Sequence, residues 1–120
     1  MRRVNVLVVD TSIWIGFFAG KSFPDVEQAL KESRVWLPAL VIAELLSGQL
    51  SPKERQGLSA FLQELHLCET HFEHYVRVGL LRAKLLQQGF SISTPDAHIA
   101  QCALDLDGNL LTADKVFFKI

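Results

Sequence analysis

The 120-residue chain is 49% hydrophobic and 21% charged, the balance of an ordinary globular protein with enough length for one core and too little for two. Twelve Lys and Arg against thirteen Asp and Glu leave a net charge of -1, which excludes a global basic field; a polyanionic partner must be held by a local patch or by metal ions. No apolar stretch approaches the ~20 residues that span a bilayer, and Cys68 and Cys102 lack CxxC spacing, so they read as small core residues in a reducing, cytoplasmic compartment.

The run VNVLVV at residues 4–9 suits a strand buried on both faces of a parallel sheet, because helices covering such a sheet leave no wet side. Behind Met1-Arg2-Arg3 it has the basic-then-apolar order of a secretory leader. Yet it is short and stops at Asp10 without a small-residue cleavage site, so it reads as a first strand. Asp10 then stands in the crevice outside the carboxyl end of a buried strand, where α/β sheets bind ligands; its plain alternative is a helix cap. Thr11 and Ser12 are expected to cap a short helix through Trp14, Phe17 and Phe18, rings that read as core or as a dimer seam, ending near Gly20. Pro24 and Asp25 open a second helix through Val26, Ala29 and Leu30 into the KESR segment, and Val35, Trp36 and Leu37 make a brief second strand.

Pro38 starts a helix, ALVIAELLSG, apolar on nearly every side until Gly48, with Glu44 its only charge. Ser51 and Pro52 begin another, with Leu58, Phe61, Leu62 and Leu65 inward, and His66, Leu67 and Cys68 add a small strand. The longest helix runs from about His71 to Gln88. Phe72, Val76, Gly79, Ala83 and Leu86 repeat as its expected buried stripe, and Gly89 closes it. In the last long helix Thr94 is the expected N-cap, with Pro95 at N1, Asp96 in the first turn, and Ile99, Ala100, Ala103 and Leu104 inward. Asp107-Gly108-Asn109 ends it, and a final strand of Leu110, Leu111 and Thr112 stops, like the first, ahead of a carboxylate, Asp114. Strands alternating with helices give one α/β domain over residues 1–120 with a mainly parallel sheet, whose strand order stays open.

Four acids stand where solvation alone explains them poorly: Asp10 and Asp114 after strands, Glu44 in an apolar helix, Asp96 at a helix start. If the two strands are parallel neighbours, their carboxyl ends face one crevice. Two unit charges ~4 Å apart repel by roughly 4 kcal/mol at an effective dielectric of ~20, so such a cluster takes up protons or binds cations. Oxygen ligands without a His or Cys cluster suit Mg²⁺ or Mn²⁺, the ions of metal-dependent nucleases. Taken singly, Asp96 also fits the helix dipole, Asp114 a turn, and Glu44 a buried ion pair.

In order and context these residues resemble the PIN domain family, and more narrowly the VapC toxins of type II toxin-antitoxin pairs. The resemblance rests on VVDTSIWI with Asp10, LPALVIAELLSG with Glu44, STPDAHIAQCAL with Asp96, and LLTADKVF with Asp114. It implies a three-layer α/β/α sandwich around a parallel sheet, usually homodimeric, acting as a Mg²⁺- or Mn²⁺-dependent endoribonuclease on RNA. It carries the acidic cluster onto Asp10, Glu44, Asp96 and Asp114, and supporting hydroxyls onto Ser12 and Thr112. It also implies a VapB antitoxin whose tail occupies the acidic groove. Asp114 is followed by Lys115-Val116-Phe117 rather than by another acid, which leaves it either touching the ion or ordering a water.

Other readings compete. Arg77, Arg82, Lys84 and Lys115 are candidates for phosphate contacts, against a solvated helix face. Cys68, His71 and His74 have a zinc-like spacing but no second ligand pair, so the two histidines read as exposed helix-start residues. His98, two residues after Asp96, reads as a surface or capping group, with acid-base work as its alternative. A PIN-like RNA-processing nuclease outside a toxin-antitoxin pair, a non-cleaving RNA- or protein-binding module, and a phosphatase or deoxyribonuclease using the same ions remain alternatives.

Overall fold

The computed structural model describes residues 5–114; Val4, Lys115, Val116 and Phe117 lie outside the described residues. The elements follow in the order β1 (Leu7–Val9), α1 (Thr11–Phe18), α2 (Pro24–Lys31), β2 (Val35–Leu37), α3 (Ala39–Leu46), α4 (Pro52–Gln63), β3 (His66–Leu67), α5 (Phe72–Gln87), α6 (Thr94–Asp105) and β4 (Asn109–Leu111). The strands form one parallel sheet in the order β3-β2-β1-β4. All three residues of β1 are buried, as expected of a strand covered on both faces. α2 packs on β1 and β2, α6 packs on β1 and β4, α1 and α4 lean on α3, and α5 packs on α6. This is a three-layer α/β/α arrangement, and no described helix is long and apolar enough to cross a membrane.

The order of strands places the site. From β1 the chain winds outward through β2 to β3, then crosses back to lay β4 on the other flank of β1. Strand order therefore reverses between β1 and β4, the switch point at which the flanking connections diverge and leave a crevice. The turn into β4 is tight. A Cβ on Gly108 would meet the Val6 carbonyl oxygen at 2.9 Å, so only glycine allows Asn109 N–H to reach that carbonyl, also at 2.9 Å.

The main core gathers Val8, Val9, Trp14, Val26, Ala29, Leu37, Val41 and Ile99, each large aliphatic side chain contributing roughly 1.5–3 kcal/mol by burial. Trp14 and Phe17 belong to this core, and Phe18 stacks on Trp14 from the rim. A smaller cluster of Val78, Leu85, Ile92 and Ala97 joins α5 to α6.

Two expected faces are corrected. α5 buries His74, Val78 and Leu85, whereas Phe72 is 78% exposed and Val76, Gly79, Ala83 and Leu86 face outward. Both stripes have helical spacing; the buried one begins on a histidine, a residue that an apolar pattern discounts. His74 and His98 are likewise buried, 2% and 0% exposed, because their ring nitrogens find partners inside. In α6, Leu104 points out at 62% exposure while His98 and Cys102 point in, and the N-cap is Ser93 rather than Thr94.

Candidate active site

The register of β1 against β4 pairs Val9 with Leu111, so the next residue on each strand, Asp10 and Thr112, meet at the carboxyl end of the sheet. Asp10 N–H donates to Leu111 O at 2.9 Å, extending the ladder by one residue. Its side chain is buried and fully engaged. Thr11 N–H donates to Oδ1 at 2.8 Å, Ser12 Oγ to Oδ2 at 3.2 Å, and Thr112 Oγ1 to Oδ2 at 2.7 Å. Asp10 is thus the N-cap of α1, a role expected of Thr11 and Ser12, and also the floor of the crevice. Capping and site-forming are one geometry here, since the first turn of α1 rises from the end of β1.

The other three acids come from three further elements. Glu44, on the exposed side of α3, accepts a hydrogen bond from Thr11 Oγ1 at 2.9 Å, which ties it to the residue beside Asp10. It is not the buried ion pair that its apolar helix suggested. Asp96 is half-buried in the first turn of α6, its N–H donating to Ser93 Oγ at 3.2 Å. Asp114 N–H donates to Thr112 Oγ1 at 2.9 Å, so one hydroxyl joins Asp10 to the backbone of Asp114.

The charges of the other three acids reach Asp96. Burial raises the Asp96 carboxyl above the ordinary aspartate value, a hydrogen bond with Ser93 opposes this, and the charges of Asp114, Asp10 and Glu44 raise it further. Acids at the ends of β1 and β4 and on α3 therefore each act on Asp96 at the start of α6. Their donor set is oxygen only, which fits hard divalent cations. Among the described residues, the three-residue group with ligand atoms mutually within 4.8 Å consists of histidines and a cysteine, not of these acids.

Thr11 is a member of this constellation that sequence reasoning passed over. Its position inside DTS reads as cap chemistry, and only the approach of α3 reveals its hydroxyl as Glu44's partner. The expected phosphate contacts fare differently. Arg77 makes a two-pronged pair with Asp105, Nε to Oδ1 and Nη2 to Oδ2, both at 2.9 Å, and Arg82 Nε donates to the Ile92 carbonyl at 2.8 Å. Lys84 is exposed on α5, and Lys115 lies outside the described residues.

The chain matches the family model of the PIN domain over residues 7–120. No curated protein matches it. Its fold is similar to that of VapBC2 from Rickettsia felis bound to a promoter DNA fragment, with a TM-score of 0.75 at 22% identity over 95% of this chain and 91% of that one. It is also similar to DNA-bound VapBC from Salmonella typhimurium, with a TM-score of 0.72 at 23% identity over 88% and 83%. A toxin-antitoxin complex from Klebsiella pneumoniae gives 0.71 at 22% identity over 91% and 87%.

Proposed function

Since the chain belongs to the PIN domain family, we propose that it is a Mg²⁺- or Mn²⁺-dependent endoribonuclease, the toxin of a VapBC-type pair, and that it works at the crevice formed by Asp10, Glu44, Asp96 and Asp114. The observation that carries this reading is the state of Asp96, whose carboxyl is raised by burial and by three acids from elsewhere in the chain. A module that only binds has no need to gather mutual repulsion on the floor of a sheet. A divalent cation bound among these oxygens supplies charge neutralisation and an activated water for attack on a phosphodiester.

The chain's own residues prepare that event. Thr112, Ser12 and the Thr11 amide fix the Asp10 carboxylate in one orientation, and the Thr11 hydroxyl steadies Glu44, so little reorganisation is left for the moment of reaction. Asp96 faces them from the start of α6, and Asp114 either touches the ion or orders a water. The solved toxin-antitoxin complexes of the same fold support an antitoxin of VapB type as partner; the family resemblance adds that its tail occupies the acidic crevice and that the working state is a homodimer.

The test is cleavage of labelled RNA and single-stranded DNA by the purified chain with Mg²⁺, Mn²⁺ or EDTA, alongside Asp10→Asn and Asp96→Asn shown to be folded by circular dichroism. Metal-dependent cutting of RNA, lost in EDTA and in both variants, is expected. Cutting that persists in both folded variants, or binding without cutting under Mn²⁺, contradicts the reading; cleavage confined to DNA replaces the substrate.

A further inference from the structure

We propose that His74, His98 and Cys102, with Cys68 buried nearby, form a second cation site, for a thiophilic divalent ion of the zinc class, separate from the acidic crevice. All four side chains are buried, and they come from three places: Cys68 just after β3, His74 in α5, and His98 and Cys102 four residues apart on one face of α6. His74 Nε2 lies 2.9 Å from His98 Nδ1. Cys102 Sγ lies 4.0 Å from His74 Nε2 and 3.9 Å from His98 Nε2. In a tetrahedral zinc site, metal–nitrogen bonds of ~2.0–2.1 Å and metal–sulfur bonds of ~2.3 Å place nitrogens roughly 3.3 Å apart and nitrogen from sulfur roughly 3.6 Å. One ligand atom from each of His74, His98 and Cys102 lies within 4.8 Å of the others, so shifts of about an ångström close the site.

The surroundings are those of a metal ligand. His74 Nδ1 contacts Asp105 Oδ2 at 2.9 Å, and Asp105 is itself held by both prongs of Arg77 and by Gln101 Nε2 at 2.8 Å. A carboxylate accepting from the outer nitrogen fixes the tautomer, turns the Nε2 lone pair inward and raises its basicity, as in carboxylate–histidine–zinc triads. His98 Nε2 accepts from Leu40 N–H over a long 3.4 Å, so the proton between the two rings sits on His98 Nδ1; a cation bound at Nδ1 shifts that proton to Nε2 at the expense of the long Leu40 contact, and His98 stays neutral. A thiol must give up its proton to ligate, so binding expels a proton and strengthens as pH rises. Nitrogen and sulfur donors select against Mg²⁺, which keeps the two sites distinct.

An entry path exists. A cavity of about 490 Å³ opens onto Cys68, His74 and Cys102, with His71, Glu69 and Glu73 at its wall. An ion bound at its floor clamps α6, which carries Asp96, to α5.

The test uses the reduced full-length chain, stripped with EDTA, exchanged into buffer and titrated with Co²⁺. One equivalent should produce an intense near-ultraviolet thiolate-to-cobalt band and the visible bands of tetrahedral cobalt, displaced by Zn²⁺ and unmoved by a large excess of Mg²⁺. Cys102→Ser should lose the near-ultraviolet band, and Asp105→Asn should weaken Co²⁺ affinity roughly 10–100-fold. Absence of the thiolate band in the folded wild-type chain, or a band unchanged in Cys102→Ser, overturns the proposal; the wild-type titration alone decides the first outcome even if a variant fails to fold.

Discussion

Thr112 donates its hydroxyl to Asp10 at 2.7 Å across 102 residues of chain, and the same hydroxyl receives the amide of Asp114. A single side chain at the end of β4 thereby sets the orientation of a carboxylate at the end of β1. Thr112→Val keeps the shape and removes the donor. It should lower metal-dependent cleavage roughly 10–100-fold, the usual loss when a supporting partner of a ligand is removed, at a stability cost of about 1 kcal/mol. Thr112→Ser, which restores the hydroxyl, should recover most of the rate; equal rates in the Val and Ser variants would show that the hydrogen bond is not what matters.

Asp96 should show a trade between stability and function. Its carboxyl is raised by burial and by like charges, so in the absence of metal the ionised group is a burden on the fold. Asp96→Asn should unfold at a higher temperature than wild type in EDTA. Addition of Mn²⁺ should raise the wild-type midpoint and leave the variant nearly unmoved. A variant less stable than wild type in EDTA would point to a structural role at the start of α6.

The corrected face of α5 can be checked by paired truncations. Leu85 is buried in the α5–α6 cluster, so Leu85→Ala should cost about 2–5 kcal/mol in urea unfolding. Leu80 is 67% exposed, so Leu80→Ala should fall within ~0.5 kcal/mol of wild type. The reverse ranking would restore the stripe through Phe72 and Val76.

The acids of the candidate site stand out from residues alone, for identifiable reasons. A strand buried on both faces must be an unbroken apolar run, which makes the charge at Asp10 conspicuous, and ALVIAELL does the same for Glu44. The adjacency of β1 and β4 was not legible, since three-residue strands carry too little pattern to choose neighbours. Nor was the inward turn of α5, because His74 and His98 look solvent-facing until Asp105 and Leu40 supply their hydrogen bonds. Thr11 was hidden by its own plausibility as a cap.

Asp105 gives a pH dependence. Burial alone would raise its carboxyl; hydrogen bonds from Arg77, His74 and Gln101 outweigh that and hold it well below the usual carboxylate range. The ionised form is favoured on folding, so the stability it contributes is complete above the unfolded aspartate value of ~3.9 and is lost as pH falls from there toward the folded value. Arg77 is the largest of these lowering causes, and because it is half exposed solvent screening keeps the stability at stake modest. Wild type should therefore lose more stability than Asp105→Asn between pH 6 and pH 3 in urea titrations. Parallel losses would mean that the carboxylate is not coupled to folding.

The central claim is that four acids distant in the chain form one divalent-cation pocket. A crystal of the chain soaked in Mn²⁺ and measured at the manganese absorption edge tests it most directly. The account predicts an anomalous peak in the crevice between Asp10 and Asp96, with Glu44 and Asp114 lining its water shell, and no such peak in crystals of folded Asp10→Asn. Manganese bound elsewhere on the chain while that crevice holds none would contradict it.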